Sequence, residues 1–244
     1  GFLRYCLPLF PDASRFFAPL ALVLSVIGIF YGALLAMGQS DMKRLLAYTS
    51  IAHFGFIGLG IFAFTSQAGV GSVLYMVNHG ISTGALFLVV GLLIDRGKSR
   101  SIGDYGGMAR TTPLLGGAFL IAGLSSLALP GTNSFVSEFL VLVGSYPTEP
   151  VFAILGAVGI ILAALYILLM YQRTMQGPAN PRLAKVRDLD KREIGMLAPL
   201  IALILVMGIY PKPVIDIITP AVEATMSDLG VVDPAPTVAE DGAR

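Results

Sequence analysis

Residues 112–146 read TPLLGGAFLIAGLSSLALPGTNSFVSEFLVLVGSY. They are apolar enough to lie in a bilayer, yet at 1.5 Å rise per residue they would form a helix of about 50 Å. A hydrocarbon core is only about 30 Å thick. The interruption this demands is written at the middle of the stretch. Pro130 removes a backbone donor and clashes with the preceding turn, Gly131 follows, and Thr132, Asn133 and Ser134 offer side chains to freed backbone groups. The pattern predicts two half-helices broken at 130–134. Just beyond the break stands Glu138, the one carboxylate of the segment, with no basic partner in its own helix. An acid beside a broken helix at mid-depth is expected where backbone lines a hydrated cavity and an ion or proton pauses. The alternative is a kinked packing helix whose acid reaches a nearby interface.

The surrounding chain places this stretch in a membrane protein. Its 244 residues are 55% hydrophobic and 13% charged, with a mean hydropathy of +0.80, far from the balance of a soluble domain. The apolar runs are long and continuous, which indicates an all-α membrane protein and excludes an outer-membrane barrel. A net charge of +1 argues against nucleic acid as a partner. The single cysteine, Cys6, excludes a disulfide framework within the chain and any Cys-rich metal or iron-sulfur site. No metal centre or cofactor is expected on these residues. The opening GFLRYCLPLFP, which starts at Gly1, reads as the continuation of an earlier segment, and no signal peptide is visible in it.

Six crossings are expected. Residues 1–15 read as the end of a preceding helix and a loop. Spanning helices follow at about 16–37, 42–64, 70–94, 112–146 (the broken one), 151–171 and 194–210. The link 176–193 is polar, 211–229 is mildly amphipathic and suited to the interface, and 230–244 reads as a disordered tail. Twelve of the sixteen Lys and Arg residues fall in the loops 38–44, 95–111 and 172–193. By the positive-inside rule those loops face the cytoplasm, and both ends of the chain lie on the opposite side.

The only two histidines, His53 and His79, fall near the centres of expected spanning helices. Imidazole changes charge near neutral pH, so a water-connected pair could relay protons. Each could equally be a neutral ring that cements helix packing. Thr49 and Ser50 stand beside His53. Tyr75, Asn78, Ser82 and Thr83 stand beside His79, with positions 75, 79, 82 and 83 expected on one helix face. Lys43 and Arg44 open the second helix, where they could snorkel to headgroups or couple to the polar stripe. Moving one charge across a membrane involves about 2.3 kcal/mol per 100 mV, so modest electrostatic changes around such an axis are energetically sufficient for transport.

Three segments, MKRLLAYTSIAHFGFIGLGIF, MVNHGISTGALFLVVGLLIDR and LPGTNSFVSEF, closely resemble the antiporter-like, proton-translocating membrane subunits of respiratory complex I, of the M type. The likeness runs from LRYCLPLFPDAS to GIYPKPVID. It implies a larger subunit built of two inverted five-helix repeats, of which this chain would be the second repeat plus the final helix, the C-terminal half. Glu138 matches the M-type glutamate on the second broken helix, where L- and N-type subunits and Mrp-type cation/proton antiporters usually carry lysine. His53 and His79 match the family's central-axis histidines. The resemblance implies proton translocation coupled to electron transfer from NADH to quinone in a bacterial-type inner membrane. Neighbouring L- and N-type subunits would be partners, and NADH, flavin, iron-sulfur clusters and quinone would sit on other subunits. The alternatives are a subunit of an Mrp-type antiporter and a truncated structural membrane module.

Overall fold

The computed structural model describes residues 1–234, so 235–244, ten of the fifteen residues of the tail expected to be disordered, lie outside the described residues. Among these residues the fold is wholly helical in its named elements. After a short helical turn through residues 2–9, whose Leu7 is buried, the principal elements are α1 (Pro11–Met37), α2 (Met42–Phe62), α3 (Ser66–Gly97), α4 (Pro113–Ser126), α5 (Asn133–Ser145), α6 (Pro150–Met175), α7 (Lys191–Ile209) and α8 (Lys212–Asp228). Five of them, α1, α2, α3, α6 and α7, are long and apolar enough to cross a membrane. With 14 and 13 residues, α4 and α5 are each too short to do so alone. Placed end to end they cover about 40 Å.

Caps explain where the helices differ from expectation. The first begins at Pro11, five residues ahead of position 16, because proline at N1 gives up no helical donor and Asp12 complements the dipole in the first turn. The third runs from 66 to 97 instead of 70 to 94. Thr65 caps its start by accepting from the Ala68 N–H at 3.1 Å, and Lys98 closes its end in the left-handed region at φ 53°. Asp190 and Glu193 form a reciprocal capping box that starts α7 at Lys191. The break of the fourth element lies at residues 127–132, slightly ahead of the expected 130–134: Pro130 and Gly131 stand within it, whereas Asn133 and Ser134 open α5. Ala128 (φ 58°) and Gly131 (φ 93°) turn the chain there, and Thr132 Oγ1 donates to the Leu129 carbonyl at 2.7 Å.

Close helix contact holds α1 on α2. A side chain at Gly55 would come within 2.5 Å of the Ser25 carbonyl, so only glycine lets the two backbones meet there. The buried apolar residues form two clusters. One joins the start of α2 and the end of α3 to α4 and α6; the other joins the end of α2 and the start of α3 to α1, α5 and α8. Ile218, Val222 and Met226 of the amphipathic α8 are buried in the second cluster, with Val222 and Met226 against Gly69 of α3. The polar residues of α2, α3, α4 and α5 lie at the level between the two clusters.

The basic connections gather at one end of the bundle. Residue 100 bonds residue 42 (3.0 Å), residue 40 bonds residue 102 (2.8 Å), and residue 107 bonds residue 176 (2.8 Å) through their backbones. The link expected to be a polar loop over 176–193 is pinned to the rest. Arg96 donates to the carbonyls of Arg187 (2.7 Å) and Asp188 (3.1 Å) and pairs with Glu193 at 2.6 Å. The Asp188 carboxylate in turn accepts from the Leu114 and Leu115 N–H groups, capping α4 from a distant loop.

Candidate functional site

α2 supplies His53, α3 supplies Tyr75, and the second half-helix α5 supplies Glu138. All three are buried, with Glu138 only 4% exposed. They form one hydrogen-bonded chain: His53 Nδ1 lies 2.7 Å from the Tyr75 hydroxyl, which donates to Glu138 Oε2 at 3.1 Å. At the far side of the imidazole, Nε2 faces Ser126 Oγ at 3.4 Å, immediately before the break. Among the described residues the acid has no ion-pair partner, so Tyr75 is its single side-chain hydrogen-bond donor. The chain can be polarised either way. With Glu138 ionised, Ser126 donates to Nε2, Nδ1–H to the Tyr75 oxygen, and the Tyr75 hydroxyl to the carboxylate. With Glu138 protonated every donor reverses, and Nε2–H points at Ser126.

A second polar group locks the half-helices in place. Asn78 Nδ2 donates to the Asn133 carbonyl at 2.7 Å and to Ser137 Oγ at 3.1 Å. Asn133 Oδ1 accepts from Ser125 at 2.6 Å and from Ser82 at 3.1 Å, and Ser82 also meets Ser125 at 2.7 Å and Ser134 at 3.2 Å. Every side chain in this knot is buried. It ties both sides of the break to α3, which fixes where α5 begins and hence where Glu138 stands.

The single face expected for positions 75, 79, 82 and 83 is divided. Tyr75, Asn78 and Ser82 lie within an arc of about 60° and face α5. His79 and Thr83 are rotated by about 40° and 80° to a half-buried strip. His79 nonetheless stays beside His53, with ring centroids 5.1 Å apart, and its Nδ1 is 3.1 Å from Thr83 Oγ1. The exposed ring of Phe54 stands on its other side at 5.3 Å.

Other expected members stay apart. Thr49 and Ser50 donate to the Leu46 carbonyl of their own helix, at 2.8 and 3.3 Å. Lys43 and Arg44 sit at the first turn of α2, where their N–H groups bond the Asp41 carboxylate. Neither pair hydrogen-bonds to the chain ending at Glu138. Ser125, Ser126 and Ser137 join the site without a distinguishing mark in the sequence. Their signal was only that they flank the break and the acid, and small hydroxyl residues are common in packed membrane helices. Among the described residues no three His, Cys, Asp or Glu side chains converge to hold a metal ion.

Known proteins share this arrangement of helices. A family model described as NADH:quinone oxidoreductase/Mrp antiporter, transmembrane, matches residues 1–167. The chain is 54% identical over 239 residues to NADH-quinone oxidoreductase subunit M of Mycobacterium tuberculosis, covering 98% of this chain and 43% of the relative. The subunit M of Rickettsia prowazekii is 45% identical over 224 residues, 91% of this chain and 46% of the relative. The structure superposes on a chain of respiratory complex I from Thermus thermophilus with a TM-score of 0.90 and 34% identity, covering 94% of this chain and 48% of that one. A chain of the Mrp complex from Dietzia sp. gives 0.78 at 20% identity, covering 90% of this chain and 50% of that one, a likeness of fold. The chain thus spans about half the length of the relatives it matches.

Proposed function

Because the chain belongs to the NADH:quinone oxidoreductase/Mrp antiporter transmembrane family, we propose that it forms part of an M-type membrane subunit of NADH-quinone oxidoreductase and carries protons across mid-membrane. Glu138 is the acid that takes up and releases the proton. The observation that carries this reading is the continuous chain from His53 through Tyr75 to Glu138, beside a helix break. A proton entering at one end can emerge at the other while each intermediate O–H or N–H bond is broken and re-formed, so no charged intermediate need leave the axis. His79 feeds His53 across the ring contact.

In this reading the chain has no redox site of its own. NADH, flavin, iron-sulfur clusters and quinone belong to other subunits, and neighbouring L- and N-type membrane subunits are the partners. The basic end, carrying Arg96, Lys98, Arg100, Arg110 and Arg173, faces the cytoplasm of a bacterial-type inner membrane, and residues 1–10 and the 210–211 turn face the other side.

The test is Glu138→Gln in the intact complex reconstituted in vesicles. It should assemble, retain NADH oxidation by an artificial acceptor and lose NADH-driven proton pumping at least tenfold. Unchanged pumping would overturn the assignment. The family description also includes Mrp antiporters; sodium-dependent proton flux without NADH would favour that reading. Normal pumping by Glu138→Gln, together with lowered stability when both histidines are replaced, would leave a structural module.

A further inference from the structure

The basic end of the bundle carries a cavity that stands apart from the chain ending at Glu138. Its volume is about 500 Å³, and three separate parts of the sequence line it: residues 37–40 after α1, residues 101–103 with Tyr105 in the loop after α3, and Arg173 in the last turn of α6. Backbone hydrogen bonds from Met42 N–H to the Arg100 carbonyl and from Ile102 N–H to the Ser40 carbonyl hold the first two parts together. Two hydroxyls, those of Ser40 and Ser101, thereby join one lining.

The charge of that lining has one sign. Arg173 forms no ion pair among the described residues. Gln39 Nε2 uses one N–H on the Leu35 carbonyl at 3.0 Å and keeps the other. The Tyr105 hydroxyl is engaged by the Ser99 and Leu93 carbonyls, so that residue contributes only its ring. The two neighbouring carboxylates lie outside the lining: Asp41 accepts from the Lys43 and Arg44 N–H groups at 2.8 and 3.1 Å, and Asp104 accepts from the Ser99 hydroxyl. Lys43, Arg44 and Arg100 flank the same turns without ion pairs among the described residues. Complementing a helix dipole would account for Arg173 alone. It would not account for donors from two other parts of the chain around it.

Towards the bilayer the surroundings turn apolar. Leu169, one turn before Arg173, borders with Leu45 and Met170 a narrow slot that shares Met37, Gln39, Ile102 and Arg173 with the cavity. One turn further in on each helix, Leu34 of α1 and Leu165 of α6 are exposed. Donors at the ends of two spanning helices, above exposed apolar side chains, match a phosphate that carries acyl chains. Basic pockets between spanning helices on the cytoplasmic side suit anionic headgroups.

We propose that this cavity binds the phosphate of an anionic phospholipid from the leaflet at the basic end. Arg173 pairs with the phosphate, Ser40, Ser101 and Gln39 donate to its oxygens, and the acyl chains lie along the exposed ends of α1 and α6. The bound lipid ties the α1–α2 turn, the loop after α3 and α6 together at the membrane surface. This site is independent of the role of Glu138.

The experiment places the intact complex in phosphatidylcholine nanodiscs doped with phosphatidylglycerol that bears a photoreactive group beside its headgroup. Labelled peptides are quantified by mass spectrometry, and assembly is checked by a thermal melt. Peptides covering residues 34–45, 97–105 and 165–173 should be labelled, and less so by a matching phosphatidylcholine probe. Arg173→Gln should lower that labelling at least about fivefold, the equivalent of about 1 kcal/mol for one basic residue at anionic lipid. Arg110→Gln, at the same end but outside the lining, should leave it unchanged. No labelling of these peptides, native labelling of Arg173→Gln, or an equal loss in Arg110→Gln would overturn the site. Equal labelling by the phosphatidylcholine probe would overturn the preference for an anionic headgroup. Competition by inorganic phosphate beyond that of chloride at equal ionic strength would replace the lipid with a free anion. Should Arg173→Gln fail to assemble, Ser40→Trp decides, because it fills the cavity while keeping the guanidinium, and native labelling of that variant would overturn the proposal.

Discussion

Tyr75 is the residue on which the site depends, although aromatic residues in membrane helices are more often packing or interfacial anchors. Its hydroxyl stands between an imidazole nitrogen at 2.7 Å and a carboxylate oxygen at 3.1 Å. Replacing Tyr75 by Phe preserves the ring and cuts the chain. Two buried polar groups lose a partner each, which should destabilise the subunit by about 2 kcal/mol. Proton pumping should fall about tenfold while artificial-acceptor NADH oxidation is retained. Pumping assayed alongside a thermal melt separates the two effects, and an unaltered pumping rate would remove Tyr75 from the path. Glu138 and the two histidines were legible because titratable residues are rare in apolar helices. Tyr75 as a bridge was legible only as a neighbour of the stripe, since its hydroxyl has meaning only beside groups that lie 22 residues before it and 63 after it.

At the scale of elements, the broken helix is the device that positions the acid. Its turn is held by the asparagine knot and by α7, because a side chain at Gly208 would come within 2.5 Å of the Thr132 carbonyl carbon. Proline marked the interruption in the sequence. The sharpest backbone departure among non-glycine residues there is nevertheless Ala128, at φ 58°. A left-handed conformation costs an L-residue about 1–2 kcal/mol, partly offset by the entropy that glycine would lose on folding. Ala128→Gly should therefore stabilise the subunit by up to about 1 kcal/mol. Pumping should be unaltered, because Glu138 is not displaced. A thermal melt of the purified complex checks this, and a lowered melting temperature would contradict it.

Across the whole molecule, the basic end behaves as one assembled cap. Arg96 reaches from the end of α3 to two carbonyls of the 176–190 link and to Glu193, and that link delivers Asp188 to the start of α4. Arg96→Ala should release the link and uncap α4 together, at about 2–3 kcal/mol. Limited proteolysis should then cut within 176–190 at least fivefold faster than in the native subunit, and equal cleavage rates would show that the clamp is dispensable. Tyr105 adds a second fastening, its hydroxyl donating to the Ser99 and Leu93 carbonyls at 2.6 and 3.1 Å. Burial raises its phenol above the usual value of 10.0. Its stabilising contribution is thus complete below about pH 10 and is lost only as pH rises through the raised value.

The amino-acid sequence by itself determined that the chain is helical and membrane-embedded, where its apolar runs lie, that one of them breaks near Pro130, and that Glu138, His53 and His79 are the titratable groups within them. These are local or compositional properties: hydrophobic length, a missing backbone donor, and the expense of charge in lipid. Only the tertiary structure decided that His79 and Thr83 turn aside from Tyr75, that Thr49 and Ser50 bond their own helix, that serines flanking the break complete the knot, and that Asp188 caps a helix more than seventy residues away. Each of those outcomes depends on helix rotation and on which helices meet. The 3.6-residue period leaves rotation uncertain by tens of degrees until neighbouring helices pack, and short hydroxyl side chains acquire a role only from the partners that packing brings within 3 Å.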